Sequence, residues 1–132
     1  MDEWQAGTHP DGLTGVPETM LWTLHARAAE ASRPDGLIDD PRAVVVRNRL
    51  GVDFAARFGP HDPMMALRAR LIDTALRRWL RTHPDGTIVS LGEGLETQFW
   101  RVDNGRMRWL SIDLPEVTAI RERYLPPPDR LR

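Results

Sequence analysis

The sequence contains no cysteine, a single tyrosine and no imbalance of charge, with 18 Lys and Arg against 19 Asp and Glu. Without cysteine there is no disulfide framework, no thiolate nucleophile and no thiolate-held metal, as suits a reducing compartment. A net charge of −1 gives no field to gather nucleic acid or an anionic membrane, so neither is expected as a partner. The longest purely aliphatic run is Val44 to Val46, far short of the roughly 20 apolar residues that span a bilayer. The first residues, MDEWQAGTHPDG, are acidic and polar, unlike a secretory leader with its basic and then apolar parts. A cytoplasmic location is the expectation.

What is there is ordinary for a folded domain. The 132 residues, 41% hydrophobic and 28% charged, suit one domain over 1–132 that buries about two-thirds of the surface of its unfolded chain. Residues 1–16 carry Gly7, Pro10, Gly12 and Gly15 among polar residues and read as a loose lead-in. Pro17 then opens a helix, with Thr14 or Gly15 near its cap and Met20, Leu21, Leu24 and Ala28 on one side. Asp40 caps a second helix over roughly 41–50. Asp62 and Pro63 start a third, whose apolar stripe is Met64, Leu67, Leu71, Ala75, Leu76, Trp79 and Leu80, ringed by arginines.

The texture changes after His83-Pro84-Asp85-Gly86, a turn by composition. Thr87 to Leu91 is short and β-branched, as a buried parallel strand is. Gly92-Glu93-Gly94 follows, then a helical segment over about 95–102, a turn at Asp103-Asn104-Gly105 and a second strand from Met107 to Asp113. Pro115 opens a last helix through Tyr124, and Pro126 to Pro128 stop it. The fold class expected is α/β, with a helical region over 1–86 and the start of a parallel sheet over 87–132.

Strand, glycine turn, helix, strand and a terminal acid is an arrangement that cradles nucleotides. Glycines let the backbone approach a ligand, a helix N-terminus favours an anionic group, and the acid accepts ribose hydroxyls. Asp113 lies 21 residues after Gly92, close to the roughly 20 expected of such units. The third glycine of a dinucleotide fingerprint falls on Thr97. That disfavours NAD or FAD and leaves adenosyl-methionine, whose anionic group is a carboxylate rather than a pyrophosphate.

The segment TIVSLGEGLETQFWRVDNGRMRWLSIDLPEVTAIRERYL resembles the cofactor half of the leucine carboxyl methyltransferase family, in its bacterial branch of polyketide carboxyl O-methyltransferases of the tetracenomycin type. Upstream, ETMLWTLHARAAEASRPDGLIDDPRAV and ALRARLIDTALRRWL resemble that family's N-terminal helices. The resemblance implies a Rossmann-like class I methyltransferase fold and S-adenosyl-methionine as cofactor. It also implies methyl transfer to a carboxylate of a small-molecule, polyketide-like acid. Gly92 and Gly94 match the glycine turn against the methionyl part, Asp113 the ribose acid, and Arg68 an arginine aimed at the cofactor carboxylate. Because the acceptor carboxylate is already ionised at neutral pH, no residue is assigned a proton-transfer role.

Three departures accompany it. The family's Leu-Asp-Thr-Arg is here Leu95-Glu96-Thr97-Gln98, and Ser111 replaces an acid two residues before Asp113. Glu93 puts a carboxylate inside the turn, where it would repel the cofactor's own carboxylate unless it faces solvent. Only two strands precede Arg132, so the C-terminal half of the fold is expected to be absent. The uncovered sheet edge that this leaves suits self-association. The competing reading is a truncated, non-catalytic remnant or partner-binding fragment. His9, His25, His61 and His83 are scattered, and no metal site is expected. Trp22 and Trp79 read as helix-packing residues, Trp100 and Trp109 as core beneath the glycine turn.

Overall fold

The computed structural model describes residues 18–132; the lead-in, Pro17 and the cap expected at Thr14 or Gly15 lie outside the described residues. Element order is α1 (Glu18–Ala31), α2 (Pro41–Arg49), α3 (Phe54–Phe58), α4 (Pro63–Leu80), β1 (Thr87–Leu91), α5 (Gln98–Val102), β2 (Arg108–Ile112) and α6 (Pro115–Tyr124). This is the α/β arrangement expected. Both predicted caps are made: Asp40 Oδ1 accepts from the Ala43 amide at 3.0 Å, and Asp62 Oδ1 from the Met64 amide at 2.9 Å. Each is followed by a proline at the first helical position, where a missing N–H is harmless. Among the described residues no helix is long and apolar enough to cross a membrane.

α1 is the hub of the helical part. Met20, Leu21, Leu24 and Ala28 pack with Ala43, Val46, Leu50 and Phe54, and reach Leu95 beyond the glycine turn and Val117 of α6. A second cluster joins Leu80, Phe99, Val102, Met107, Trp109 and Leu131 beneath the sheet. Trp109 is core as expected, whereas Trp79 is 39% exposed and stacks on His83 at 4.5 Å between ring centroids.

The stripe expected on α4 packs only at its C-terminal end, where Leu80 is buried and Leu76 is half-buried against the cluster beneath the sheet. Met64, Leu71, Ile72 and Trp79 are exposed, while Ala66, Ala69, Asp73 and Leu80 are buried. α4 lies directly against α1, and two alanines allow an approach that long side chains would prevent. The buried set still has helical spacing, set one position round from the bulkiest side chains.

β1 and β2 are parallel, with Thr87 opposite Arg108 and Leu91 opposite Ile112. The second strand is one residue shorter at each end than the expected Met107 to Asp113. After the prolines the chain returns to the outer edge of β2. The Trp109 amide donates to Arg130 O at 2.8 Å and the Arg132 amide to Trp109 O at 3.0 Å, and Leu131 bridges Trp109 in parallel. This edge, expected to be bare, is therefore engaged over residues 109–111, where the Ser111 amide also donates to Arg132 O at 2.6 Å. α3, which the sequence reading did not anticipate, is a single turn capped by Asp53, whose Oδ1 accepts from the Ala56 amide at 3.0 Å.

Candidate functional site

Parallel pairing brings the C-terminal ends of both strands to one place. The Gly92 amide donates to Ile112 O at 2.8 Å, extending the ladder by one residue into the turn. Asp113, next along β2, then reaches across: the Gly94 amide donates to its Oδ2 at 2.7 Å and the Leu114 amide to its Oδ1 at 2.8 Å. A carboxylate offers about four lone pairs, so each oxygen keeps acceptor capacity for a ligand.

Both glycines have positive φ, +62° at Gly92 and +57° at Gly94, a region L-residues rarely enter. At Gly94 space matters too, since a Cβ would stand 2.9 Å from Met20 Cγ of α1. At Gly92 a Cβ would meet nothing within 4 Å. Its open side belongs to a cleft of about 410 Å³ bounded by α1, α4 and the turn, which Arg27, Arg68, Gly92, Glu93, Gly94 and Asp113 help to line. Arg68 is exposed on α4 and makes no ion pair among the described residues. The structure thus gathers all five residues expected at the site.

Glu93 is the one whose side chain behaves differently from expectation. Rather than facing a ligand or solvent, its carboxylate is buried, 3.2 Å from Arg121 Nη2 and 3.3 Å from the indole Nε1 of Trp109. Burial pushes its pKa up, opposed by Arg121 and by hydrogen bonds from Ser111 and Trp109. The repulsion expected between Glu93 and a cofactor carboxylate therefore has no basis in its placement.

Beneath the turn lies a network of buried ions that sequence reasoning missed. Arg101 Nη1 is 2.7 Å from Asp40 and 2.6 Å from Glu96, and its Nε is 2.6 Å from Asp73. Arg27 pairs with Glu96 at 3.2 Å and donates to Leu95 O at 2.9 Å. The Thr97 hydroxyl donates to Asp40 Oδ2 at 2.5 Å, so the α2 cap also anchors the segment after the turn. Burial works against charge on Glu96, but Arg27 and Arg101 outweigh it and hold its pKa below the ordinary value. Burial likewise disfavours the Arg101 cation, and Asp73, Glu96 and Asp40 more than reverse this. The departures at Glu96 and Gln98 fit here: the longer acid reaches both arginines, and Gln98 Nε2 donates to Asp73 Oδ1 at 2.8 Å.

α5 begins at Gln98 rather than near Leu95. The carbonyls of Gly94 and Glu96 accept from Arg121 at 2.8 and 2.6 Å, and that of Leu95 from Arg27. Side-chain donors at these oxygens compete with the amides that would start a helical ladder there. The expected helix N-terminus is consequently displaced from the glycine turn, and α5, a single short turn, offers no dipole for an anion there.

The leucine carboxyl methyltransferase family profile matches residues 20–129. The chain belongs to the leucine carboxyl methyltransferase family. It is 35% identical over 123 residues to the tetracenomycin polyketide synthesis O-methyltransferase TcmP of Streptomyces glaucescens, covering 91% of this chain and 46% of that protein. It is 32% identical over 140 residues to the putative S-adenosyl-L-methionine-dependent methyltransferase SCO6443 of Streptomyces coelicolor, covering 90% and 45%. The S-adenosyl-L-methionine-dependent methyltransferase dpfgK of Gibberella zeae is 29% identical over 133 residues, covering 89% and 44%. This family member therefore spans just under half the length of these relatives.

Proposed function

We propose that the cleft at the ends of β1 and β2 holds S-adenosyl-methionine, and that the whole protein methylates a carboxylate oxygen of a small-molecule, polyketide-like acid. The observation that carries the reading is the joint of Gly92, Gly94 and Asp113 across two parallel strands, which fits the ligand in three respects. Asp113 keeps lone pairs free toward two ribose hydroxyls. Gly92 leaves the side of the cleft open where a methionyl chain would run. Arg68 stands on the cleft without a counter-ion among the described residues, and its planar fork suits a carboxylate.

The bound cofactor would supply an electrophilic methyl group, transferred to the acceptor oxygen to leave a methyl ester. The chain's residues would bind and align the partners, since an ionised carboxylate needs no base. Localisation in the cytoplasm is part of the same proposal.

Leu91 and Ile112 beside the cleft are exposed, so the described residues leave a ligand open on that side. The expected affinity is weak, a Kd on the order of 1 mM, and no methyl transfer by this chain alone is expected. Calorimetric titration with S-adenosyl-methionine tests the reading. Binding that disappears in Asp113→Ala supports it; unchanged affinity in that variant would refute the ribose contact.

A further inference from the structure

Arg121 sits on α6, remote in sequence from the glycine turn, yet makes three contacts with it. Its Nη1 donates to Gly94 O at 2.8 Å and to Glu96 O at 2.6 Å, and its Nη2 to Glu93 Oε1 at 3.2 Å. It is 4% exposed. On the same stretch Arg27 takes the intervening carbonyl, Leu95 O, at 2.9 Å. Three successive carbonyls are therefore occupied by guanidinium groups from two helices. The first turn bond of α5 runs only later, from the Arg101 amide to Thr97 O at 3.4 Å.

We propose that Arg121, with Glu93 as its buried counter-charge, is a positioning residue that keeps residues 94–97 out of helix and thereby fixes the cleft-facing form of the glycine turn. The physical reasoning is a competition for acceptors. Residues 95–102 have a helical pattern, and the carbonyls of residues 94–96 would otherwise accept amides of residues 98–100. A charge-assisted bond from a planar fork wins that competition, and one fork can reach two carbonyls and a carboxylate at once. Lysine, a single ammonium on a flexible stem, cannot hold the same three acceptors in fixed geometry. The buried Glu93 carboxylate then has a purpose that its position in the turn does not suggest: it compensates the cation that holds the backbone. Its counterpart on the α1 side is Glu96 with Arg27, so the turn is clamped from both flanks.

The proposal rests on the cofactor reading only for its effect on binding, and the experiment separates the two. Backbone chemical shifts of Leu95, Glu96 and Thr97, measured on ligand-free protein, report the local conformation directly. In Arg121→Met these shifts are expected to move toward helical values while those of α1 and α2 stay in place; in Arg121→Lys they move part of the way. Affinity for S-adenosyl-methionine should fall about tenfold or more in Arg121→Met, with partial recovery in Arg121→Lys, since small misplacements of a binding loop are costly. If Arg121→Met does not fold because Glu93 is left buried and unpaired, the double variant Glu93→Leu/Arg121→Met removes both charges, and the same helical shift is expected of it. Non-helical shifts at 95–97 in a folded variant lacking Arg121 would overturn the proposal. Absence of cofactor binding by the unaltered chain would refute the function proposed above, while the shifts would still decide the role of Arg121.

Discussion

The two faces of the β1–β2 sheet are built from equally apolar strands and live in different surroundings. One face carries Ile88, Ser90, Trp109 and Ser111; Trp109 is 2% exposed and packs on Phe99 in an edge contact with centroids 6.1 Å apart. The other carries Val89, Leu91, Leu110 and Ile112, exposed by 52%, 74%, 40% and 48%. An antiparallel sheet with one wet face alternates apolar with polar residues, whereas a parallel sheet is apolar on both sides because helices cover both. Here the apolar side chains nearest the turn point to the open face and the serines to the covered one. The pattern therefore records a sheet designed for two covers, of which the described residues supply one.

The sharpest way to break this contrast is to delete the residue on which the covered face depends. Trp109→Ala should lower unfolding free energy by about 3–5 kcal/mol, as for other large buried aromatics, read from denaturant midpoints. Val89→Ala, next to Trp109's strand partner Ile88 but on the open face, should change it by no more than about 0.5 kcal/mol. Equal losses at the two sites would show that both faces are covered in solution.

The cover itself is held by charge. α5 lies over the sheet because Arg101 is fixed between Asp40, Asp73 and Glu96, with Arg101 and Asp73 side chains only 4% and 2% exposed. Removing one member of a buried pair leaves the other unpaired, a loss of about 3 kcal/mol. Asp73→Ala should therefore approach the Trp109 variant in stability, and its chemical-shift changes should centre on α5 and Trp109. Wild-type stability in Asp73→Ala would mean that packing alone seats α5.

What was legible in the sequence divides along the same line. The strands, the turn, Asp113 and the caps at Asp40 and Asp62 could be read because each depends on local chemistry: β-branched runs, glycine, and an oxygen two or three residues ahead of an amide. The buried ions could not be read that way, since most of their partners are remote in sequence: Arg101 lies 28 residues from Asp73 and 61 from Asp40. A signal was nonetheless present. Arg121 falls four residues after Val117 and four before Leu125, both buried, and Asp73 four after the buried Ala69. Charges at core-facing positions of a helical stripe imply buried partners. On α4 that signal was obscured because size, not hydrophobicity alone, decided which face met α1.

The edges of the sheet repeat the contrast in weaker form, and pH sharpens it. The tail on β2 is fastened by Arg130, whose Nη1 is 2.7 Å from Asp103 Oδ1, while β1 has no second neighbour among the described residues. The hydrogen bond from Arg130 holds Asp103 below its ordinary pKa of 3.8. A depressed carboxylate adds stability that is complete above the unfolded value and is lost as pH falls below it. Because the pair is partly exposed, the loss should be small, under about 1 kcal/mol. Protection of the Trp109 and Ser111 amides, whose N–H groups donate to the tail, should fall relative to the intrinsic exchange rate in Asp103→Asn at neutral pH and in the parent below pH 3.8. Exchange indifferent to both changes would mean that the tail is held by Leu131 packing rather than by the ion pair.

The smallest effect on stability is expected on the open face, where it is also the most informative. Leu91 is 74% exposed and stands on the strand whose outer edge has no partner among the described residues, a combination that favours contact between copies of the chain. Leu91→Lys removes no buried contact, so unfolding free energy should stay within about 0.5 kcal/mol of the parent. A charge in the middle of an apolar patch would, however, have to be desolvated on association. Sedimentation equilibrium should therefore show mass rising with concentration for the parent and a monomer for the variant. If both are monomeric over the same range, self-association through this face is refuted. If Leu91→Lys instead destabilises by as much as Trp109→Ala, the open face is in fact covered, and the contrast between the two sides of the sheet does not hold.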